Sequence, residues 1–352
     1  MLRYLAVLLW IPISTQANLN IIDCQETRLE LSEILSRMDS TESILIFSSG
    51  IARLLQDNQV ELQTYDTVSL QANIDLLKEE YQQFKLDPYL HDPAEVHTIL
   101  NDLYHLLLAP FQTTFREAVK IISDDKLKSV PWNILIDGND AFMIDHHAFT
   151  ITNLDDIGQP TELRNAEQLS LYMLAPSFTG KKMINNEEEK NRLEKHFRTI
   201  EKDYTQANII QISSHGLAQG IYVSENKKVL PHDEILKLNI NSQLTFLNTC
   251  YSVTVSQEFL HAGSKSVIAN LWQIDDRIAI VVSSKFYEKL FEGKPKSEAL
   301  RQAMMAYRQD CTMKSEAHPF QWGGYQLYGD DGAIVLKDDF NYHRLVSIFL
   351  SI

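Results

Sequence analysis

The chain predicts an α/β protein: a three-layer αβα sandwich around a mostly parallel central sheet, preceded by a mixed, largely helical N-terminal region. Beyond about residue 120, short apolar runs alternate with helical stretches, as expected for strands buried on both faces of a parallel sheet. With 352 residues, 44% hydrophobic and 22% charged, the composition is that of a folded domain and excludes wholesale disorder, collagen-like repeats and disulfide scaffolds. No internal repeat or low-complexity tract interrupts it.

The N-terminus has two readings. Met1-Leu2-Arg3, the apolar run Tyr4 to Ile13 and Ser14-Thr15-Gln16-Ala17 match the three parts of a signal peptide over 1–17, which implies export or membrane association. The same YLAVLLWIPI run fits a buried strand, which leaves the chain cytoplasmic. Within 18–92, Thr27 to Arg37 and Ser69 to Phe84 carry apolar residues at helical spacing, and between them SILIFSSGIARLL and QVELQTYDT read as strands. A domain over 93–335 then opens with a long helix, Pro93 to Ile122. Val96, Ile99, Leu100, Leu103, Leu106, Leu107 and Leu108 line one wide face, and Pro110 breaks or kinks it.

Strands follow at Phe142 to Thr152, Leu169 to Leu174, Ile209 to Ser213, Leu244 to Leu247 and Ser266 to Ala269. Helices are expected near 186–204, 254–262, 276–292 and 296–309. The run Glu187-Glu188-Glu189-Lys190 reads as a solvated helix face. The tail 336–352 ends in LVSIFLSI, far short of a membrane helix and either docked or an incomplete anchor.

Charge narrows the partners. With 32 Lys plus Arg against 47 Asp plus Glu the net charge is −15, which repels phosphate backbones and excludes general nucleic-acid binding. Three cysteines, Cys24, Cys250 and Cys311, are too few for a disulfide framework, so each is core filler or carries thiol chemistry. The histidines, including His146, His147 and His232, show no metal-ligand spacing, and no phosphate-binding glycine loop is present, so neither metal nor cofactor is expected.

Two strand ends carry candidate chemistry. Ile209 to Ser214 runs into His215-Gly216, and Leu244 to Thr249 runs into Cys250. Thirty-five positions separate the histidine from the cysteine, enough for one strand-helix-strand crossover that would place both on one sheet edge. An imidazole beside a thiol lowers the thiol pKa and delivers the proton to a leaving amine. The competing reading is a buried cysteine and a strand-end histidine that caps local hydrogen bonds.

The surrounding blocks are LYHLLLAPF, SVPWNIL at 129–135, LAPSF at 174–178, ISSHG, LNTCYS, HAGSKSVIANLWQIDD, FYEKL, ALRQA and HPFQWGGYQLYGD. Together, over most of 95–335, they resemble the CHAT family of caspase-like cysteine peptidases. The resemblance implies a caspase-hemoglobinase fold, His215 as acid/base and Cys250 as the nucleophile that forms a thioester. It also implies an oxyanion hole from the backbone N–H groups of Gly216 and Cys250. In similar peptidases such as separase an acidic residue in the loop after Leu271-Trp272 receives a basic P1 side chain, a role for Asp275 or Asp276; the same pair can cap the helix that follows.

Two departures stand out. Only Tyr251 to His261 lies between Cys250 and Ala262-Gly263, where relatives usually carry a longer glycine-containing loop, and Tyr251 replaces a small or acidic residue. The expected function is a cysteine endopeptidase acting on protein or peptide substrates. The alternative is a non-catalytic CHAT-like interaction module. An activating partner is expected in either case, and a helical-repeat protein fits the family's habit.

Overall fold

In the computed structural model the described residues are 31–123, 125–158, 164–165, 169–176, 186–197, 199–217, 219–311, 315–334 and 336–337. The signal-peptide or strand reading of 1–17, Cys24, residues 177–178 of LAPSF and LVSIFLSI lie outside them.

The first elements are α1 (Leu31–Arg37), β1 (Glu42–Ser48), β2 (Ile51–Gln56), β3 (Gln59–Thr64), α2 (Thr67–Leu86), α3 (Ala94–Leu107), β4 (Ala118–Ile122), β5 (Ala148–Ile151), β6 (Arg164–Asn165) and β7 (Ser170–Leu174). Then come α4 (Asn186–Glu194), β8 (Thr199–Glu201), β9 (Ile209–Ser214), β10 (Gly216–Leu217), β11 (Gly220–Tyr222), β12 (Val229–Pro231), α5 (His232–Ile235) and β13 (Leu244–Thr249). The chain continues through α6 (Ser256–His261), β14 (Ser266–Asn270), α7 (Asp276–Phe291), α8 (Lys296–Asp310), α9 (Pro319–Trp322), β15 (Tyr325–Gly329) and β16 (Leu336–Lys337).

Eleven strands form one sheet in the order β3-β2-β1-β4-β5-β15-β14-β13-β9-β7-β8. Pairing is parallel except for the β1–β2–β3 meander and the β14–β15 seam, so two parallel blocks of opposite direction meet at β14 and β15. The fold class is therefore the expected one, and the strands of the N-terminal region extend the same sheet that carries β9 and β13.

Side-chain alternation builds a layer on each side of β1. Leu45 and Phe47 enter the large core with Leu70, Leu77 and Val96 of α2 and α3, while Ile44 and Ile46 pack with Ile34 of α1 in a separate cluster. Helix α2 buries Leu70, Ile74, Leu77, Tyr81 and Phe84, a row at three- and four-residue spacing, and starts where the Asp66 side chain accepts the Val68 N–H at 2.9 Å.

The structure corrects three elements. The helix expected over Pro93 to Ile122 stops at Leu107, ahead of the Pro110 that cannot continue it, and Ala118–Ile122 is a strand between β1 and β5. The β-branched residues of AVKII favour that sheet position over another helical turn. The expected strand Phe142 to Thr152 shortens to Ala148–Ile151, because Met143–Asp145 forms a 3-10 turn ahead of it. The helix expected over 186–204 ends at Glu194, and Thr199–Glu201 joins the sheet edge beside β7.

The acidic run also departs from expectation. Glu188 is exposed and pairs with Arg192 at 2.6 Å, yet Glu189, one position on, is 2% exposed. Adjacent helical positions point about 100° apart, so one charge of a run can face the core while its neighbour faces solvent. Among the described residues no helix is long and apolar enough to cross a membrane.

Candidate active site

Strands β9 and β13 pair in parallel with Ser214 opposite Thr249, so the next residues, His215 and Cys250, leave the sheet side by side at its carboxyl edge. Both are partly exposed. Gly216 packs against the turn that carries Cys250: a Cβ there would lie 1.8 Å from the Cys250 carbonyl oxygen and 3.4 Å from its nitrogen. No side chain fits at 216 without displacing Cys250.

The turn after the cysteine is tight. Tyr251 has φ +53°, a left-handed conformation that non-glycine residues adopt rarely and that reverses the chain into the 3-10 turn Ser252–Val255 and α6. Asn270, at the end of β14 and 1% exposed, donates from Nδ2 to the carbonyls of Leu247 (3.1 Å) and Thr249 (3.4 Å). The Ser252 hydroxyl accepts the Asn270 N–H at 2.9 Å and donates to Leu247 C=O at 3.3 Å. Two neighbouring strands thus clamp the turn that carries Cys250. The short segment Tyr251 to His261 forms a defined turn and helix.

The acidic pair divides its work. Asp275 caps α7, accepting the Arg277 N–H at 2.9 Å and pairing with the Arg277 guanidinium at 3.2 Å. Asp276 is exposed; desolvation by its surroundings and the neighbouring Asp275 raise its pKa, and His215 acts in the opposite direction. Of the two aspartates, Asp276 is thus the one coupled electrostatically to the histidine, and it also acts on Cys250.

The electrostatics of the thiol differ from the sequence expectation. Burial pushes the Cys250 pKa up and the Asp276 charge adds to the rise, while the backbone N–H groups of Ile274 and of Cys250 itself, facing the sulfur, oppose it. Desolvation outweighs the donors, so burial holds the thiol above its ordinary pKa. Cys311, beside the Tyr307 carbonyl at 3.2 Å, is raised as well.

Beneath this edge lies a buried polar network. Oε1 of Glu189 accepts from Gln211 Nε2 (3.0 Å), Asn248 Nδ2 (2.8 Å) and Ser283 Oγ (3.0 Å). Tyr287 donates to Gln211 Oε1 at 2.8 Å and Tyr325 to Asn248 Oδ1 at 3.1 Å. Gln211 lies on β9 and Asn248 on β13, so α4 ties together the strands that present His215 and Cys250. The HPFQWGGYQLYGD block closes over the far side: Trp272 Nε1 donates to Phe320 C=O at 2.7 Å, and Asn133 of SVPWNIL donates to Tyr325 C=O at 2.9 Å.

Residues 159–330 match the CHAT domain family. The match spans just under half of the chain. His215, Gly216, Cys250, Asp275 and Asp276 all fall inside it, whereas α2 and its Tyr81 fall outside. Two structures of the Saccharomyces cerevisiae separase–securin complex resemble the fold with TM-scores of 0.52 and 0.50 at 11% identity, over 84% of this chain and 30% of the other. A complex of the pro- and mature domains of Porphyromonas gingivalis RgpB aligns over 70% of each chain with a TM-score of 0.45 at 13% identity. No curated protein matches the sequence. The fold of this chain is thus similar to that seen in the separase–securin complex.

The other histidines have local partners. His147 Nδ1 meets the Arg116 carbonyl at 2.7 Å, His146 is exposed, and His232 pairs with Glu258 at 2.7 Å. Among the described residues no cluster of three or more His, Cys, Asp or Glu could hold a metal.

His318 is 2% exposed and stacks on Phe84 of α2 at 4.5 Å. Its Nδ1 accepts the Phe320 N–H at 3.2 Å, so Nε2 carries the proton and donates to His91 Nδ1 at 3.2 Å; His91 Nε2 in turn meets Glu80 at 3.1 Å. Burial first, then the imidazoles of His91 and His97, lower the His318 pKa from 6.5 to about 4. A depressed folded-state pKa contributes stability that is complete above the unfolded value and is lost as pH falls through the folded one. Stability is expected to drop by about 3 kcal/mol between about pH 6.5 and about pH 4, and His318→Asn should flatten that slope in urea denaturation at stepped pH. A parallel slope in the variant would remove the assignment.

Proposed function

We propose that the chain is a cysteine endopeptidase in which Cys250 attacks the scissile carbonyl and His215 handles the proton. The thiol proton passes to the imidazole as the sulfur–carbon bond forms, and the imidazolium then protonates the leaving amine as the carbon–nitrogen bond breaks. Water, deprotonated by His215, hydrolyses the thioester, releases the acid and restores the thiol. The backbone N–H groups of Gly216 and Cys250 are the candidate oxyanion donors. One observation carries this reading: the in-register parallel pairing of Ser214 with Thr249, which delivers His215 and Cys250 to one edge. A raised thiol pKa suits a nucleophile deprotonated by its base only as substrate excludes water.

Asp276 is the candidate for a basic P1 residue, since its exposed carboxylate is within electrostatic reach of His215 while Asp275 is engaged with α7 and Arg277. The substrate is a protein or peptide, in keeping with an acidic chain of net charge −15. A regulatory protein partner fits the same reading, as the separase neighbour is held in complex with securin.

Digestion of a diverse peptide library tests the proposal. Cleavage after Arg or Lys, weakened in Asp276→Asn, is the expected result; cleavage after other residues keeps the Cys-His pair and discards the acidic pocket. The raised thiol pKa also fits a second reading, a non-catalytic CHAT-like interaction module. No cleavage, together with no covalent capture of Cys250 by an arginyl chloromethyl ketone, would select it.

A further inference from the structure

Helix α2 lies outside the CHAT match, yet it reaches the loop that faces the candidate nucleophile. Tyr81, 5% exposed, places its hydroxyl on the backbone of a single residue: it accepts the Gln273 N–H at 3.1 Å and donates to the Gln273 carbonyl at 3.2 Å. Its ring stacks on Trp272 with centroids 5.8 Å apart and meets the edges of Tyr251 and Phe320 at 6.4 and 5.2 Å. Elsewhere the same loop is tied at Leu271, whose N–H donates to Gly324 C=O (2.9 Å), and at Trp272, whose carbonyl accepts from Tyr251 N–H (3.4 Å). Gln273 is thus the last anchored residue before Ile274, whose N–H faces the Cys250 sulfur, and before the Asp275-Asp276 pair that begins α7.

We propose that Tyr81 is a positioning residue for the site: its hydroxyl fixes Gln273, and through it the Ile274 N–H that solvates the Cys250 sulfur as charge develops on it. The inference rests on the reading of Cys250 as nucleophile. It makes the N-terminal helix part of the reactive centre, so the segment matched to the family does not contain everything the sulfur needs. A backbone donor aimed at a sulfur stabilises the thiolate over the thiol, and its value depends on orientation, which a loop anchored only by Leu271 and Trp272 would lose. Tyr81 looks like one more core aromatic in the buried row of α2; its second role is invisible until Gln273 is placed against it.

Tyr81→Phe retains the ring stack and removes both hydrogen bonds. In the full chain, iodoacetamide alkylation of Cys250, followed by mass spectrometry from about pH 7 to about pH 10, should titrate at higher pH than in the wild type. The rate at about pH 8 should fall about threefold or more, with the limiting rate at high pH within about twofold. Exchange of the Gln273 amide should quicken about tenfold while amides of β13 keep their protection, which shows that the fold is intact. Faster Gln273 exchange with an unmoved Cys250 titration would make Tyr81 a structural clasp and overturn the proposal, and so would unchanged Gln273 exchange. Neither readout needs peptide cleavage, so a failed peptidase assay would count against the proposed function and leave this result standing on its own.

Discussion

Cys250→Ala is expected to lower kcat/KM for a cleaved peptide by about 10⁴-fold or more, because no other side chain at this edge can form the thioester. His215→Ala should lose about 10²- to 10⁴-fold, the usual worth of a positioned acid/base. Here the loss falls toward the upper end: the Cys250 sulfur is held protonated by burial and Asp276, so little thiolate exists without a base to remove the proton. The double variant should be no slower than Cys250→Ala, since groups acting as a unit are not additive. Measuring kcat/KM for all three against one fluorogenic peptide checks this, and a Cys250→Ala protein that keeps a tenth of wild-type activity would assign the reaction to another group.

Glu189→Ala is expected to destabilise the fold by about 3–5 kcal/mol. One carboxyl oxygen receives the Gln211, Asn248 and Ser283 donors, and deletion strands them in the buried interior. Gln211 retains Ser213 at 3.2 Å and Ser283 retains the Ile280 carbonyl at 3.2 Å, but the Asn248 amide has no second acceptor among the described residues, so the Cys250 strand bears most of the damage. Glu189→Gln preserves the accepting carbonyl and should cost about 1 kcal/mol. Burial raises the Glu189 pKa above 4.5. Its stability contribution is therefore complete below the unfolded value and declines as pH rises through the folded one, a decline that the Gln variant should lack. Urea denaturation of the three proteins between about pH 4 and about pH 8 measures both effects, and a Glu189→Ala protein within about 1 kcal/mol of wild type would show that the network relaxes around the gap.

Local chemistry made much of this protein legible. The runs IIQISS and LTFLNT are apolar enough to be buried strands wherever they fall, and a histidine or cysteine directly after such a run can only emerge at a strand end. Asp66 and Asp275 announce helix starts because an N-cap bond spans two residues and needs no tertiary context. AVKII was harder, since five residues after a helix with a shared apolar face fit either period, and pairing with β1 and β5 decided it.

What the amino acids specify along the chain is the set of strands, the strand ends at His215 and Cys250, and the helix caps, all of which depend on neighbours within a few residues. Which of two adjacent glutamates is buried, which of two adjacent aspartates faces the histidine, and whether the thiol is raised or lowered depend on groups brought from far along the chain. Glu189 meets Asn248 and Ser283, Asp276 feels the charge of His215, and Tyr81 reaches Gln273 across 192 positions. Burial and electrostatics fall off over a few ångströms of space and do not register sequence distance, so those outcomes waited on the fold.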